Sequence, residues 1–234
     1  MDPIDYYNAG VDYFRAGNFA AAEQAYSEAI RREPDFVEAL VNRSVIHLYN
    51  GDWNSALGDC TKAINIDPYH VDAYVNRGNV YTRKKAYENA ITDYSRAIAL
   101  KPESAIAYNN RGLAYARSRQ YDKAMADYQT SILLAPDFPD PYSNRAEIYF
   151  ALGRYQDALN DFVQLLNNGE QTRFEFAGLA VTLHALGNIE DAKKVWREHL
   201  LPLDIRYRDA VWVGQSLSWS PQMVNEVRKL IRKI

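Results

Sequence analysis

Pro34, Pro68, Pro102 and Pro136 recur every 34 residues along the chain. A fixed period of that length marks a small structural unit repeated end to end. One such unit cannot bury its own apolar face and must stack on its neighbours. With the proline at position 32, the units begin at Pro3, Val37, Val71, Ala105, Pro139 and Arg173. Position 20 is then alanine in every unit (Ala22, Ala56, Ala90, Ala124, Ala158, Ala192), and position 8 is always small (Gly10, Ser44, Gly78, Gly112, Ala146, Ala180). Large side chains recur at positions 4, 11, 17 and 24, where 14 of the 18 tyrosines fall, leaving Tyr7, Tyr49, Tyr69 and Tyr207 outside the framework.

Positions 4, 8 and 11 share one helical face, and so do 17, 20 and 24. Each unit therefore reads as two amphipathic helices, with a turn near positions 14–16 (Gly17, Gly51, Gly153, Gly187) and a proline closing the second helix. Small residues at 8 and 20 let the two helices approach closely. Eleven Gly and nine Pro in 234 residues are too few for an all-β sandwich. The single cysteine allows neither an internal disulfide nor a cysteine-rich metal site. A net charge of −3 carries no general footprint for nucleic acid. The acidic start and the lack of a long apolar run predict a cytoplasmic chain with no signal peptide and no integral membrane segment.

This pattern resembles the tetratricopeptide repeat (TPR) family over residues 3–204. The resemblance implies an all-α, right-handed α-solenoid of helix-turn-helix repeats spanning 3–36, 37–70, 71–104, 105–138, 139–172 and a divergent 173–204. Units five and six depart at position 32, with Glu170 and Asp204 in place of proline. Residues 205–234 break the register; Ser220-Pro221 reads as a helix start, and Met223, Val224, Val227, Leu230, Ile231 and Ile234 form an apolar stripe. The expected role is to cap the exposed end of the stack. The rival is a basic helix at a membrane surface, from Arg228, Lys229, Arg232 and Lys233.

Position 7 reads Ala9, Arg43, Arg77, Arg111, Arg145, Leu179, and position 23 reads Ala25, Asp59, Asp93, Asp127, Asp161, Val195. Arginine and aspartate are present together or missing together, so pairing within a unit satisfies every case. Four structural bridges follow: Arg43–Asp59, Arg77–Asp93, Arg111–Asp127 and Arg145–Asp161.

By the resemblance, the first helices line a concave groove through positions 2, 5, 6, 9, 12 and 13. Position 6 is asparagine in five units: Asn8, Asn42, Asn76, Asn110 and Asn144. A carboxamide offers both donors and an acceptor to a peptide backbone, and asparagine ladders of this family grip bound peptides. Bonding between neighbouring helices is the alternative use of the same amides. Asn79, Arg83 and Arg117, with Tyr7, Phe14, Leu48, Tyr49 and Phe150, complete the expected surface. Arg83 and Arg117 suit an acidic side chain or a C-terminal carboxylate.

The family's two-carboxylate clamp is disfavoured, because Tyr7, Val11, Asp72 and Asn76 replace most of its residues. Glu38, Asp72 and Asp140 speak against RNA. His47, His70, His184 and His199 lack metal-ligand spacing with each other or with Cys60, and no phosphate loop or nucleophile elbow is present. No catalytic residue, cofactor or metal is expected. The functional expectation is a non-catalytic scaffold holding an extended peptide or helix in its groove. The alternative is self-association through the convex surface or through the C-terminal segment with Trp212 and Trp219.

Overall fold

The computed structural model describes residues 2–169, 172–217 and 219–234; Glu170, one of the two departures at position 32, lies outside them. The described residues form α-helices, one 3-10 turn and connecting loops, in two compact units, Met1–Gln120 and Tyr121–Ile234. The first unit contains α1 (Pro3–Arg15), α2 (Phe19–Arg32), α3 (Val37–Tyr49), α4 (Trp53–Ile66), α5 (Val71–Arg83), α6 (Tyr87–Leu100) and α7 (Ala105–Arg117). The second contains α8 (Tyr121–Leu134), α9 (Asp140–Ala151), α10 (Tyr155–Asn167), α11 (Arg173–Ala185) and α12 (Ile189–His199). It ends with a 3-10 turn (Ile205–Arg208), α13 (Ala210–Ser216) and α14 (Pro221–Ile231). From α1 to α7 and from α8 to α12, consecutive helices pack on one another in chain order.

Every second helix of a repeat starts at its position-17 residue. The residue two places earlier turns the chain with a positive φ, from 73° to 87° at Gly17, Gly51, Gly153 and Gly187. Lys85 (60°) and Arg119 (63°) hold the same conformation without being glycine, where a Cβ is crowded.

In the first and third repeats the position-24 ring fills the space left by the glycine at position 8. Tyr26, Tyr94 and Tyr128 are fully buried. A Cβ added at Gly10 would sit 2.6 Å from the Tyr26 ring, and one at Gly78 2.6 Å from the Tyr94 ring. Arg43, Arg77 and Arg145 each grip the aspartate of their own repeat with two hydrogen bonds. Arg43–Asp59 measures 2.8 and 2.7 Å, Arg77–Asp93 2.7 and 2.8 Å, and Arg145–Asp161 2.9 and 2.7 Å. The third nitrogen, Nη1, reaches back to the preceding repeat, donating to Ser27 Oγ from Arg43 (3.0 Å), to Ser95 Oγ from Arg111 (3.1 Å) and to Gln129 Oε1 from Arg145 (2.6 Å). The members of the remaining expected pair, Arg111 and Asp127, belong to different units.

The tail joins the core of the second unit. Helix α14 packs against α11, α9 and α12, with Met223, Val227 and Leu230 fully buried. Ser220 Oγ accepts the Met223 N–H at its start (3.4 Å). Trp219 meets the Phe174 ring edge-on at 5.9 Å, and Glu226 bonds His184 Nδ1 at 2.6 Å. Burial alone would push the Glu226 carboxyl up, but bonds from Lys229 and His184 outweigh it and hold the group below its ordinary value of 4.5.

Asp161→Ala strands a half-buried guanidinium and should cost about 3 kcal/mol in urea unfolding, with Arg145→Met/Asp161→Leu recovering part of the loss. Because the Glu226 pKa is depressed on folding, its contribution is present above 4.5 and lost as pH falls through the folded value. The Tm of Glu226→Gln should therefore lie below wild type at pH 7, and the gap should close in strong acid.

Candidate functional site

The position-6 asparagines of α3, α5 and α7 reach back to the first helix of the preceding repeat, which decides what they can do. Asn42 Nδ2 donates to Tyr7 Oη at 3.3 Å. Asn76 Nδ2 donates to Ser44 Oγ (3.4 Å) and to the Val41 carbonyl (3.5 Å). Asn110 Nδ2 donates to Asn79 Oδ1 (3.1 Å), an oxygen that also accepts the Tyr94 hydroxyl at 2.8 Å. Burial raises the phenol pKa of both Tyr26 and Tyr94, so each hydroxyl stays a neutral donor in need of an acceptor. In the sixth repeat position 6 is Gly178, where a Cβ would lie 2.2 Å from the Phe162 ring. Three of the five expected ladder amides thus tie repeats together. Asn8, with no repeat before it, is exposed, and Asn144 is half-buried.

What remains open in the first unit is a cleft of about 640 Å³. Leu48, Tyr87 and Leu113 give it apolar walls, Asn79, Tyr94 and Asn110 line it as well, and Arg83, Lys85 and Arg117 supply three cations with no carboxylate in the lining. Arg83 and Arg117 are exposed. Neither has an ion pair among the described residues. Lys85 is also, with Arg119, one of two non-glycine residues held at positive φ among the described residues; strain of this kind concentrates at functional sites. The sequence reading missed Lys85, whose only local signal is a lysine where four other repeats carry glycine.

A second hollow of about 350 Å³ lies among Val11, Phe14, Arg15, Tyr26, Asn42 and Val45. Phe14, Phe19 and Tyr49 form an aromatic cluster, with ring centroids 5.3 and 4.8 Å apart, and Tyr49 is 72% exposed. Tyr7 is half-buried against Phe36 at 5.0 Å.

Phe150, expected on the groove surface, is instead buried against Tyr155 (5.0 Å) in the core that α14 completes. The two tail tryptophans also have internal partners: Trp219 is buried, and Trp212 meets Tyr207 edge-on at 5.2 Å beneath the Arg206 guanidinium. Burial pushes the Cys60 thiol up to about 11, which leaves it unreactive. Among the described residues no cluster of His, Cys, Asp and Glu could hold a metal, and no helix is long and apolar enough to cross a membrane.

Family models described as "Tetratricopeptide repeat" match residues 7–71, 111–173 and 176–198, and one described as "TPR repeat" matches 78–118. The chain is a tetratricopeptide-repeat protein. No curated protein matches the sequence. Among solved structures, this TPR chain is similar to PilW, a type IV pilus biogenesis factor (TM-score 0.77, 19% identity, 95% of this chain and 97% of that one). It is also similar to Pseudomonas aeruginosa PilF (0.76, 17% identity, 99% and 97%) and to MamA (0.60, 28% identity, 69% and 94%). The first two likenesses are of fold alone. The TPR fold is in general that of a protein-interaction scaffold.

If the amides are ties, Asn110→Ala should lower unfolding free energy by about 1 kcal/mol, whereas Asn8→Ala should leave it unchanged within about 0.5 kcal/mol, as read by urea denaturation.

Proposed function

We propose that this chain is a non-catalytic adaptor that binds a segment of a partner protein in the cleft of its first unit. The observation that carries this reading is the set of three cations, Arg83, Lys85 and Arg117, around apolar walls with no facing carboxylate. Such a lining suits a carboxylate, either an acidic side chain or a chain terminus, attached to an apolar segment. Asn79 supports the same role: its Oδ1 is occupied by Asn110 and Tyr94, and its amide N–H groups are left to meet a ligand carbonyl. The hollow at Val11, Phe14 and Val45, with exposed Tyr49 beside it, supplies further apolar contact along the same unit. Asn8 is the ladder amide most open to a ligand. With Asn42, Asn76 and Asn110 engaged internally, recognition rests on charge and apolar contact more than on a continuous amide ladder.

The test is isothermal titration with two synthetic peptides of one leucine-rich sequence, one ending in a free carboxylate and the other in a carboxamide. The carboxylate form should bind at least about tenfold more tightly, and Arg83→Ala/Arg117→Ala should abolish that preference. Equal affinity for the two peptides, or a preference that survives the double substitution, would refute the reading.

A further inference from the structure

The second unit carries a basic concavity of its own, formed where the 3-10 turn and the start of α13 meet α14. A cleft of about 340 Å³ is lined by Arg208, Asp209, Val211, Arg228, Ile231 and Arg232, among others. It adjoins a slot of about 140 Å³ against Trp196, Leu201 and Ile234, and the two share Arg208 and Ile231. The slot has room for about four or five waters, the bulk of one aliphatic side chain.

The tail's cations divide into those already used and those left over. Arg206 is held by Asp204 at 2.6 Å, and Lys229 by Glu226 at 2.8 Å. Arg197 donates to the Ile234 carbonyl at 3.3 Å. Arg208, Arg228 and Arg232 are exposed. They have no ion pair or hydrogen-bonded acceptor among the described residues. The one carboxylate in the lining, Asp209, accepts the Val211 (2.8 Å) and Trp212 (3.3 Å) amides as the cap of α13. Three guanidiniums gathered round one concavity repel each other and gain nothing from the fold. Packing of α14 uses its buried stripe of Met223, Val227 and Leu230 and the Glu226–His184 bond, and none of these arginines.

We infer that this concavity docks an acidic segment of a partner protein. One apolar side chain enters the slot between Ile231 and Ile234, and flanking carboxylates pair with Arg208, Arg228 and Arg232 in the two-pronged geometry that guanidinium favours. A membrane is the poorer match, because the apolar element here is a recess, and interfacial helices need an apolar face that can enter the bilayer.

The full-length protein should be titrated, by fluorescence anisotropy, into a fluorescein-labelled peptide with leucine between two pairs of glutamates. A second peptide should carry lysine at each glutamate. The glutamate peptide should bind, less tightly as salt rises, and the lysine peptide should not. Arg228→Glu/Arg232→Glu should weaken binding at least tenfold, Arg208→Glu should weaken it independently, and Arg83→Ala/Arg117→Ala should leave it unchanged. All these side chains are exposed, and matching thermal melts verify the fold. Equal binding of the two peptides would overturn the inference. So would loss of binding in the Arg83/Arg117 variant alone, or vesicles of phosphatidylcholine and phosphatidylserine binding through Arg228 and Arg232 while the peptide does not.

Discussion

The buried ring in the second helix of a repeat, at Tyr26, Tyr94 and Phe162, is a contact through which a helix pair holds itself together or meets the next. Tyr26 and Tyr94 press on Gly10 and Gly78 of their own repeats, while Phe162 presses on Gly178 of the following one. Burying such a ring contributes up to about 3 kcal/mol, more than any single hydrogen bond nearby. It also requires glycine or another very small residue opposite, which gives the small-residue positions their physical cause.

A buried phenol brings a polar cost with it. Its hydroxyl must find an acceptor, and Asn79 provides one for Tyr94. The arginine at position 7 adds a cross-brace of another kind, joining its own aspartate and the preceding second helix through one planar group. These polar ties give each repeat a fixed register on its neighbour, where apolar packing alone would tolerate sliding. They also remove from the surface several groups that a reading of residue types would assign to a ligand. The cations left over stand out for that reason: Arg83, Lys85 and Arg117 in the first unit and Arg208, Arg228 and Arg232 in the second are not needed by the stack.

Much of this was legible before any coordinates. The 34-residue period placed the helix starts, with α9 beginning one residue later than expected, and joint presence of Arg and Asp indicated which helices they join. The asparagines were harder, because an exposed ladder and an inter-repeat tie place the same residue at the same position. One signal was available: Asn42, Asn110 and Asn144 each follow a repeat with tyrosine at position 24, and where Phe162 has no hydroxyl the asparagine gives way to Gly178. Phe150 was misplaced for a different reason. Its burial depends on α14, whose packing partners are non-local and carry no periodic mark.

Periodicity by itself determined the helical architecture of the repeats, their helix starts to within a residue and most of the inward-facing set, because local helix geometry repeats these features every 34 residues and stacking selects the same apolar face each time. Only the tertiary structure decided which polar groups were still unoccupied. Hydrogen-bond partners at 16, 31 or 35 residues' separation are chosen by distances of a few tenths of an ångström between neighbouring helices. The order of residue types along a chain does not encode such distances.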